Sequence, residues 1–216
     1  MAERPIFVPT QQGAGLVKEV MVRFTWHPGM ALSQKKKNVA ALHTAAVEKG
    51  FTHLLEISSK SEREVGKKLS AFQLKTRVEG RETTLESAFQ GSKVFEGGGP
   101  FNDLYELDSR DAKRDSRLRE SGRLLMFRLE DKDYPLSPAT SFYDWLYINA
   151  LYPHRSWLVC LQKYDGFTDI EFNPDRSVNC QARSCATFVS LEQRGYLDDA
   201  VESFEYFRNL MQAANI

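Results

Sequence analysis

Within the first fifty residues the hydrophobic period changes from two to about 3.6, and this switch constrains the fold more than any other feature of the chain. Val17 to Trp26 alternates, with Val20, Val22 and Phe24 on one side, which predicts a strand. His27-Pro-Gly-Met30 reads as a turn. Ser33 then stands as a helix N-cap, and Gln34 to Lys49 carries an apolar face of Val39, Leu42 and Ala46 before Gly50 closes it. A strand and a helix that are each apolar on one side only must bury those sides in a layered core.

The same alternation of periods continues along the chain. Pro5 to Pro9 and His53 to Ser58 read as short extended segments, and Glu62 to Gly66 as a charged helix. Leu69 to Val78 reads as extended, with a turn at Glu79-Gly80-Arg81, and Thr83 opens a helix to Phe95. Gly97 to Pro100 is a loop, Ser109 to Glu120 a polar helix, and Leu124 to Leu129 a strand. An aromatic helix runs from Ser141 to Leu151, and Phe167 to Phe172 alternates like a strand. Ser156 to Lys163 fits either type, while Ala182 to Arg194 and Leu197 to Ala214 are helices separated by Gly195. The sum predicts an α+β fold, helix-dominated with a small sheet. With 216 residues and neither repeat nor low-complexity linker, one domain over 1–216 is expected.

Composition narrows the function by exclusion. The 29 basic and 29 acidic residues cancel, so any site for a polyanion must be a local patch rather than a generally basic surface. Cys160, Cys180 and Cys185 are too few and unevenly placed for a disulfide framework, which fits a reducing compartment. No basic N-terminal segment precedes an apolar stretch, and no apolar run approaches the ~20 residues of a membrane helix, so a soluble cytoplasmic protein with no membrane contact is expected. His43, His53 and His154 have no partners at ligand spacing, and neither G-x-S-x-G nor H-E-x-x-H occurs. No metal and no cofactor are expected.

Among polar residues, position singles out a few. Lys36 and Lys37 suit a solvated charge run, but Lys35 precedes Val39, Leu42 and Ala46 by four, seven and eleven residues and so falls on the inward stripe. A lysine there either snorkels outward or enters a pocket, where desolvation and the helix dipole would free its amine as a nucleophile. Thr83 and Glu86 have the spacing of a capping box. Glu86, Gln90 and Lys93 also recur at i, i+4 and i+7, a polar stripe able to line a cleft. Asp111, in the first turn after Ser109, suits a general base or a ribose hydroxyl acceptor, although a solvated face explains it equally. Gly98 and Gly99, just after Lys93, form either a plain turn or a nest for a phosphate. The aromatic residues Phe142, Tyr143, Trp145 and Tyr147 suit core packing, with Tyr143 or Trp145 able to stack on a base.

Gly66 through Leu69-Ser-Ala-Phe72, the turn at Glu79-Gly80, and Leu85-Glu-Ser-Ala-Phe-Gln-Gly-Ser-Lys93 together resemble the signature of the NADAR family. Further segments are similar to its DarT-associated members: Trp26-His-Pro-Gly, Ser33-Gln-Lys, Leu55-Glu-Ile-Ser-Ser-Lys-Ser61, Asp111-Ala-Lys-Arg-Asp115, Phe142 to Ile148 and Phe167-Thr-Asp-Ile-Glu-Phe-Asn-Pro174. In order they cover most of the chain. The resemblance implies a NADAR-like domain that removes ADP-ribose from guanine in DNA and counteracts a DarT-type toxin. By the same resemblance Glu86 occupies a catalytic position, with Gln90 and Lys93 beside it. Ser70 and Phe72 match a Ser-Asn-Phe element whose asparagine is here Ala71. Asp144 and Trp145 are the candidates for the family's later aspartate and tryptophan.

Two routes fit an N-glycosidic bond between ribose and a base amine. Glu86 can protonate the leaving group while a carboxylate such as Asp111 activates water. Alternatively the ribose opens to an imine, and Lys35 displaces the base as a Schiff base that water resolves, with Glu86 shuttling protons. Lys35 on an apolar face favours the second route. Competing readings are an N-glycosidase of a small phosphorylated or ADP-ribose-type metabolite, an ADP-ribose-binding module without turnover, and a tight inhibitor of a partner toxin.

Overall fold

The computed structural model describes residues 1–213. The strands and helices, in chain order, are β1 (Ala2–Pro9), β2 (Val17–Phe24), α1 (Leu32–Val47), β3 (Leu54–Glu56), α2 (Glu64–Lys68), β4 (Lys75–Val78), β5 (Arg81–Thr84), α3 (Leu85–Gly91) and β6 (Lys93–Phe95). They continue with α4 (Ser109–Arg114), α5 (Arg117–Glu120), β7 (Leu124–Leu129), β8 (Lys132–Tyr134), α6 (Ser141–Leu151), α7 (Arg155–Leu158), β9 (Gly166–Thr168), α8 (Gln181–Arg194), α9 (Leu197–Glu202) and α10 (Phe204–Ala213). The fold is α+β, as the periodicity predicts. Ala214, the expected end of the last helix, lies outside the described residues.

A four-stranded sheet in the order β2-β1-β9-β3 divides the molecule. β1 and β2 pair antiparallel from Ala2↔Phe24 to Pro9↔Val17, and β9 pairs antiparallel with β1 and parallel with β3. Side chains alternate across this sheet, as a pleated strand requires. On one face Ile6, Val22 and Phe24 meet Val39, Leu42 and Ala46 of α1. On the other, Phe7, Leu55 and Phe167 join the larger core of α3, α6 and α8. The apolar stripe expected of α1 is therefore the stripe it buries.

Several boundaries differ from expectation. α1 starts two residues early, at Leu32, with Ala31 as a cap that makes no side-chain bond, so Ser33 lies inside the helix. Leu69 to Val78 is extended only over β4, because Ser70 to Leu74 is a hydrogen-bonded turn. The predicted helix from Thr83 ends at Gly91, and Lys93–Phe95 instead pairs with β7. Ser109 to Glu120 breaks at Asp115, and the last helix breaks at Ser203. Of Phe167 to Phe172 only the first two residues belong to a strand. The Glu79-Gly80 turn does join β4 to β5, with both residues at positive φ (52° and 75°).

Candidate active site

Thr84, not Thr83, caps α3: its hydroxyl accepts from Ser87 N–H at 3.2 Å, and Ser109 Oγ in turn donates to it at 2.7 Å. Glu86 therefore has no capping duty. Its carboxylate is almost wholly buried, and Oε1 accepts from Gln90 Nε2 at 2.9 Å. Gln90 Oε1 accepts from Lys93 Nζ at 2.6 Å, so the stripe at i, i+4 and i+7 is a continuous hydrogen-bonded chain. Lys113 of α4 forms an ion pair with the same Glu86 oxygen at 3.2 Å, and its ammonium lies 5.2 Å from the Phe72 ring centroid. Phe72 is itself exposed, an aromatic edge at the rim of a buried acid. Burial pushes the Lys93 amine down to about 8, with Glu86 opposing and Lys113 assisting.

The turn before β4 joins this group to a second carboxylate. Glu86 N–H donates to Ala71 O at 3.0 Å, and Ala71 N–H donates to Gln181 Oε1 at 2.7 Å. Gln181 also hydrogen-bonds Asp169, a buried carboxyl held above its usual range by desolvation. Asp169 Oδ1 accepts from Glu171 N–H at 3.0 Å, and Glu171 pairs with Lys35 Nζ at 3.2 Å. Backbone and side-chain contacts in series thus tie the α3 start, which carries Glu86, to the Lys35–Glu171 pair. Tyr143 is buried, and its hydroxyl is pushed well up, first by burial and then by the fields of Glu86, Cys180 and Asp169. Next to Ala71, the Ser70 hydroxyl is buried with no hydrogen-bond partner among the described residues.

Lys35 is mostly covered, as its place on the helix predicts, but its setting is polar rather than apolar. Its ammonium meets Glu171 and stands 5.8 Å from the Trp26 ring, over which the Arg4 guanidinium also lies at 5.6 Å. The lone desolvated amine expected from spacing is instead one member of an ion pair beside an indole.

Residues 2–216 match the family described as DarT1-associated NADAR antitoxin. The chain belongs to that family. Its description gives an antitoxin associated with a DarT toxin, in agreement with the ordered motifs. Comparison with curated proteins gave no match.

Within this family frame the remaining candidates fall away from the Glu86 group. Asp111 is exposed on α4, and its N–H is taken by the Asp108 cap at 3.0 Å, in line with the solvated-face alternative. Asp144 is fully buried, but it accepts from Ser184 Oγ at 2.5 Å and Arg183 Nη2 at 3.1 Å, which fastens α6 to α8. Trp145 donates Nε1–H to Ala200 O at 3.0 Å and packs on Tyr134 and Phe204. Gly98 and Gly99 make the turn that brings β6 back. Gly97 and Gly98 N–H groups bond to Ser121 O and Phe95 O, and a side chain at Gly99 would overlap Lys93 O. Gly99 therefore serves a close backbone approach.

Asp169, Glu171, Gln181, Lys113, Trp26 and Arg4 carry no individual signal in the sequence. Four of them lie in segments that resemble the family, but only the folded chain brings their side chains together. A cavity of about 280 Å³ opens elsewhere, between Leu16, Val17, Thr140, Arg183 and Thr187. None of the sequence-predicted residues lines it, and its one carboxylate, Glu19, is exposed. Among the described residues no group of three His, Cys, Asp or Glu side chains is arranged to hold a metal, and no helix is long and apolar enough to cross a membrane.

Proposed function

We propose that this antitoxin is a glycohydrolase that removes ADP-ribose from guanine in DNA modified by its DarT toxin. The observation that carries the reading is the run of contacts from buried Glu86 through Ala71, Gln181 and Asp169 to the Lys35–Glu171 pair. An acid, a second acid and a primary amine linked through one part of the fold are the groups the lysine route needs.

In this reading the distal ribose opens to its imine with guanine still attached through the exocyclic nitrogen. Glu171 accepts the proton of Lys35, and the freed amine adds to the imine carbon. The carbon–guanine bond breaks, its electrons staying with the guanine nitrogen, which takes a proton from Glu86. Lys35 is left as a protonated Schiff base. Asp169 takes the water-activating role that the sequence offered to Asp111, and directs water onto that carbon. The carbon–lysine bond breaks, ADP-ribose leaves as the aldehyde, and Lys35 recovers its amine. Ser70, with its unpaired hydroxyl, holds a ribose oxygen, and Phe72 and Trp26 offer aromatic faces to the bases.

The test is incubation with an oligonucleotide carrying ADP-ribose on guanine. Wild type should release free ADP-ribose. Glu86→Gln and Lys35→Ala should each lower the rate by at least roughly 100-fold, as expected for a lost general acid or nucleophile. Borohydride should trap a covalent adduct on wild type and Glu86→Gln but not on Lys35→Ala. Release by Lys35→Ala at the wild-type rate refutes the covalent route. Binding of ADP-ribose without release by wild type refutes the enzyme.

A further inference from the structure

Lys113 is the charged group nearest the proposed acid that the reaction above does not use. It projects from α4 with its side chain 55% exposed, and its ammonium touches both Glu86 and the Phe72 face. Lys93 stands at the far end of the Glu86–Gln90 hydrogen-bonded chain. It is held against the Phe89 ring at 4.8 Å, and its hydrogen-bond acceptor is the neutral amide of Gln90. Lys113 pairs with the carboxylate directly and Lys93 reaches it only through the Gln90 amide, so these three charged groups sum to plus one. Glu86 and Lys113 are the charged groups whose fields act on Lys93. A surplus cation beside a partly desolvated wall is an unfavourable arrangement that a bound anion relieves.

We propose that Lys93 and Lys113 form a phosphate-binding pair at the mouth of the Glu86 group, with Lys113 leaving the carboxylate to take a phosphate oxygen. The proposal rests on the glycohydrolase reading and adds a ligand subsite to it. Lys93 is fixed by Gln90 and Phe89, whereas Lys113 is a long exposed side chain free to swing. When a phosphate draws Lys113 away, Glu86 loses its ion pair and keeps the bond from Gln90. The phosphate is either the diphosphate of ADP-ribose or a phosphodiester of the DNA strand.

Calorimetric titrations separate these sources. Wild type, Lys113→Ala, Lys113→Arg and a control at exposed Lys132, Lys132→Ala, are titrated with inorganic pyrophosphate, ADP-ribose and an unmodified single-stranded oligonucleotide. A charge-assisted phosphate contact should make Lys113→Ala bind about 10-fold or more weakly, with Lys113→Arg within a few-fold of wild type. Loss on ADP-ribose and pyrophosphate assigns the diphosphate. Loss on the oligonucleotide alone, with the salt slope lower by about 1, assigns the DNA backbone. Unchanged affinity for all three probes overturns the pair, as does an equal loss in Lys132→Ala. Lys113-dependent binding in a protein that releases no ADP-ribose would sink the glycohydrolase reading and leave the pair standing. Release by wild type with no dependence on Lys113 in binding would sink the pair alone.

Discussion

Replacing Glu56 by glutamine should stabilise the protein at alkaline pH. Glu56 lies on β3, fully buried, with Oε1 accepting from Ser58 Oγ at 2.6 Å and Ile170 N–H at 2.9 Å. Oε2 lies 2.7 Å from Thr168 Oγ1, which is 2.9 Å from His43 Nε2. Its partners are neutral, and burial together with nearby Asp169 holds its carboxyl well above the usual range. The folded state therefore keeps a proton that the unfolded state loses in the ordinary carboxylate range. The stability this proton contributes is complete below that range and is lost as pH rises through the elevated folded value. The slope is about 1.4 kcal/mol per pH unit for one proton, or about 2 kcal/mol between roughly pH 6.5 and 8. Glutamine reproduces the protonated acid: its oxygen accepts from Ser58 and Ile170, its amide donates to Thr168, and Thr168 donates to His43. Burial pushes His43 down to about 4, so that ring is neutral throughout this window and adds no slope. Asp169, pushed up to about 6 by burial, has largely ionised below this window. Urea unfolding of wild type and Glu56→Gln at the two pH values should show the mutant gaining about 2 kcal/mol relative to wild type, and nitrogen NMR should find the His43 tautomer fixed in the mutant but pH-dependent in wild type. Parallel pH profiles would refute the argument.

Two further outcomes follow from the geometry. A methyl at Gly66 would overlap Glu56 O and Ser61 Oγ, so Gly66→Ala should lower stability by roughly 3 kcal/mol through overpacking, read as a lower urea midpoint with unchanged slope. Because the Lys93 amine is held down near 8, ADP-ribose affinity should be level below about pH 7 and fall as pH rises through 8. Calorimetry across that range tests this, and the fall should vanish in Lys93→Arg.

What the sequence revealed follows from the range of the interactions involved. The alternation of Val20, Val22 and Phe24 and the stripe of Val39, Leu42 and Ala46 depend on neighbours within two turns, and their buried faces are as expected. The Glu86, Gln90 and Lys93 chain was legible for the same reason. The helix beginning at Thr83 was placed one residue early because Thr83 and Thr84 are equally good caps. Pairing of β5 with β4 uses Thr83 in the ladder opposite Thr76 and leaves Thr84 to cap. Trp145 looked like a stacking platform because its composition and spacing do not distinguish a base from Phe204. Lys35 was correctly turned inward, but its partner Glu171 is 136 residues away in the chain (171 minus 35), and no local pattern encodes that meeting.

The position of the candidate site has its own physical origin in the exit of β9. Phe167 enters the larger core, while Ile170, three residues on, enters the smaller one beneath α1. The backbone between them must cross from one hydrophobic cluster to the other, and Ile170 N–H is anchored to Glu56 as it does so. That crossing leaves Asp169 at the seam and hands Glu171 to Lys35 on α1. Gln181 and Ala71 close the other side of the seam against Asp169 and Glu86. The acids and the amine are therefore brought together by the rule that each core must be filled by its own residues. A polar replacement of Ile170 would disturb the Lys35–Glu171 pair through packing alone, without touching a charged group.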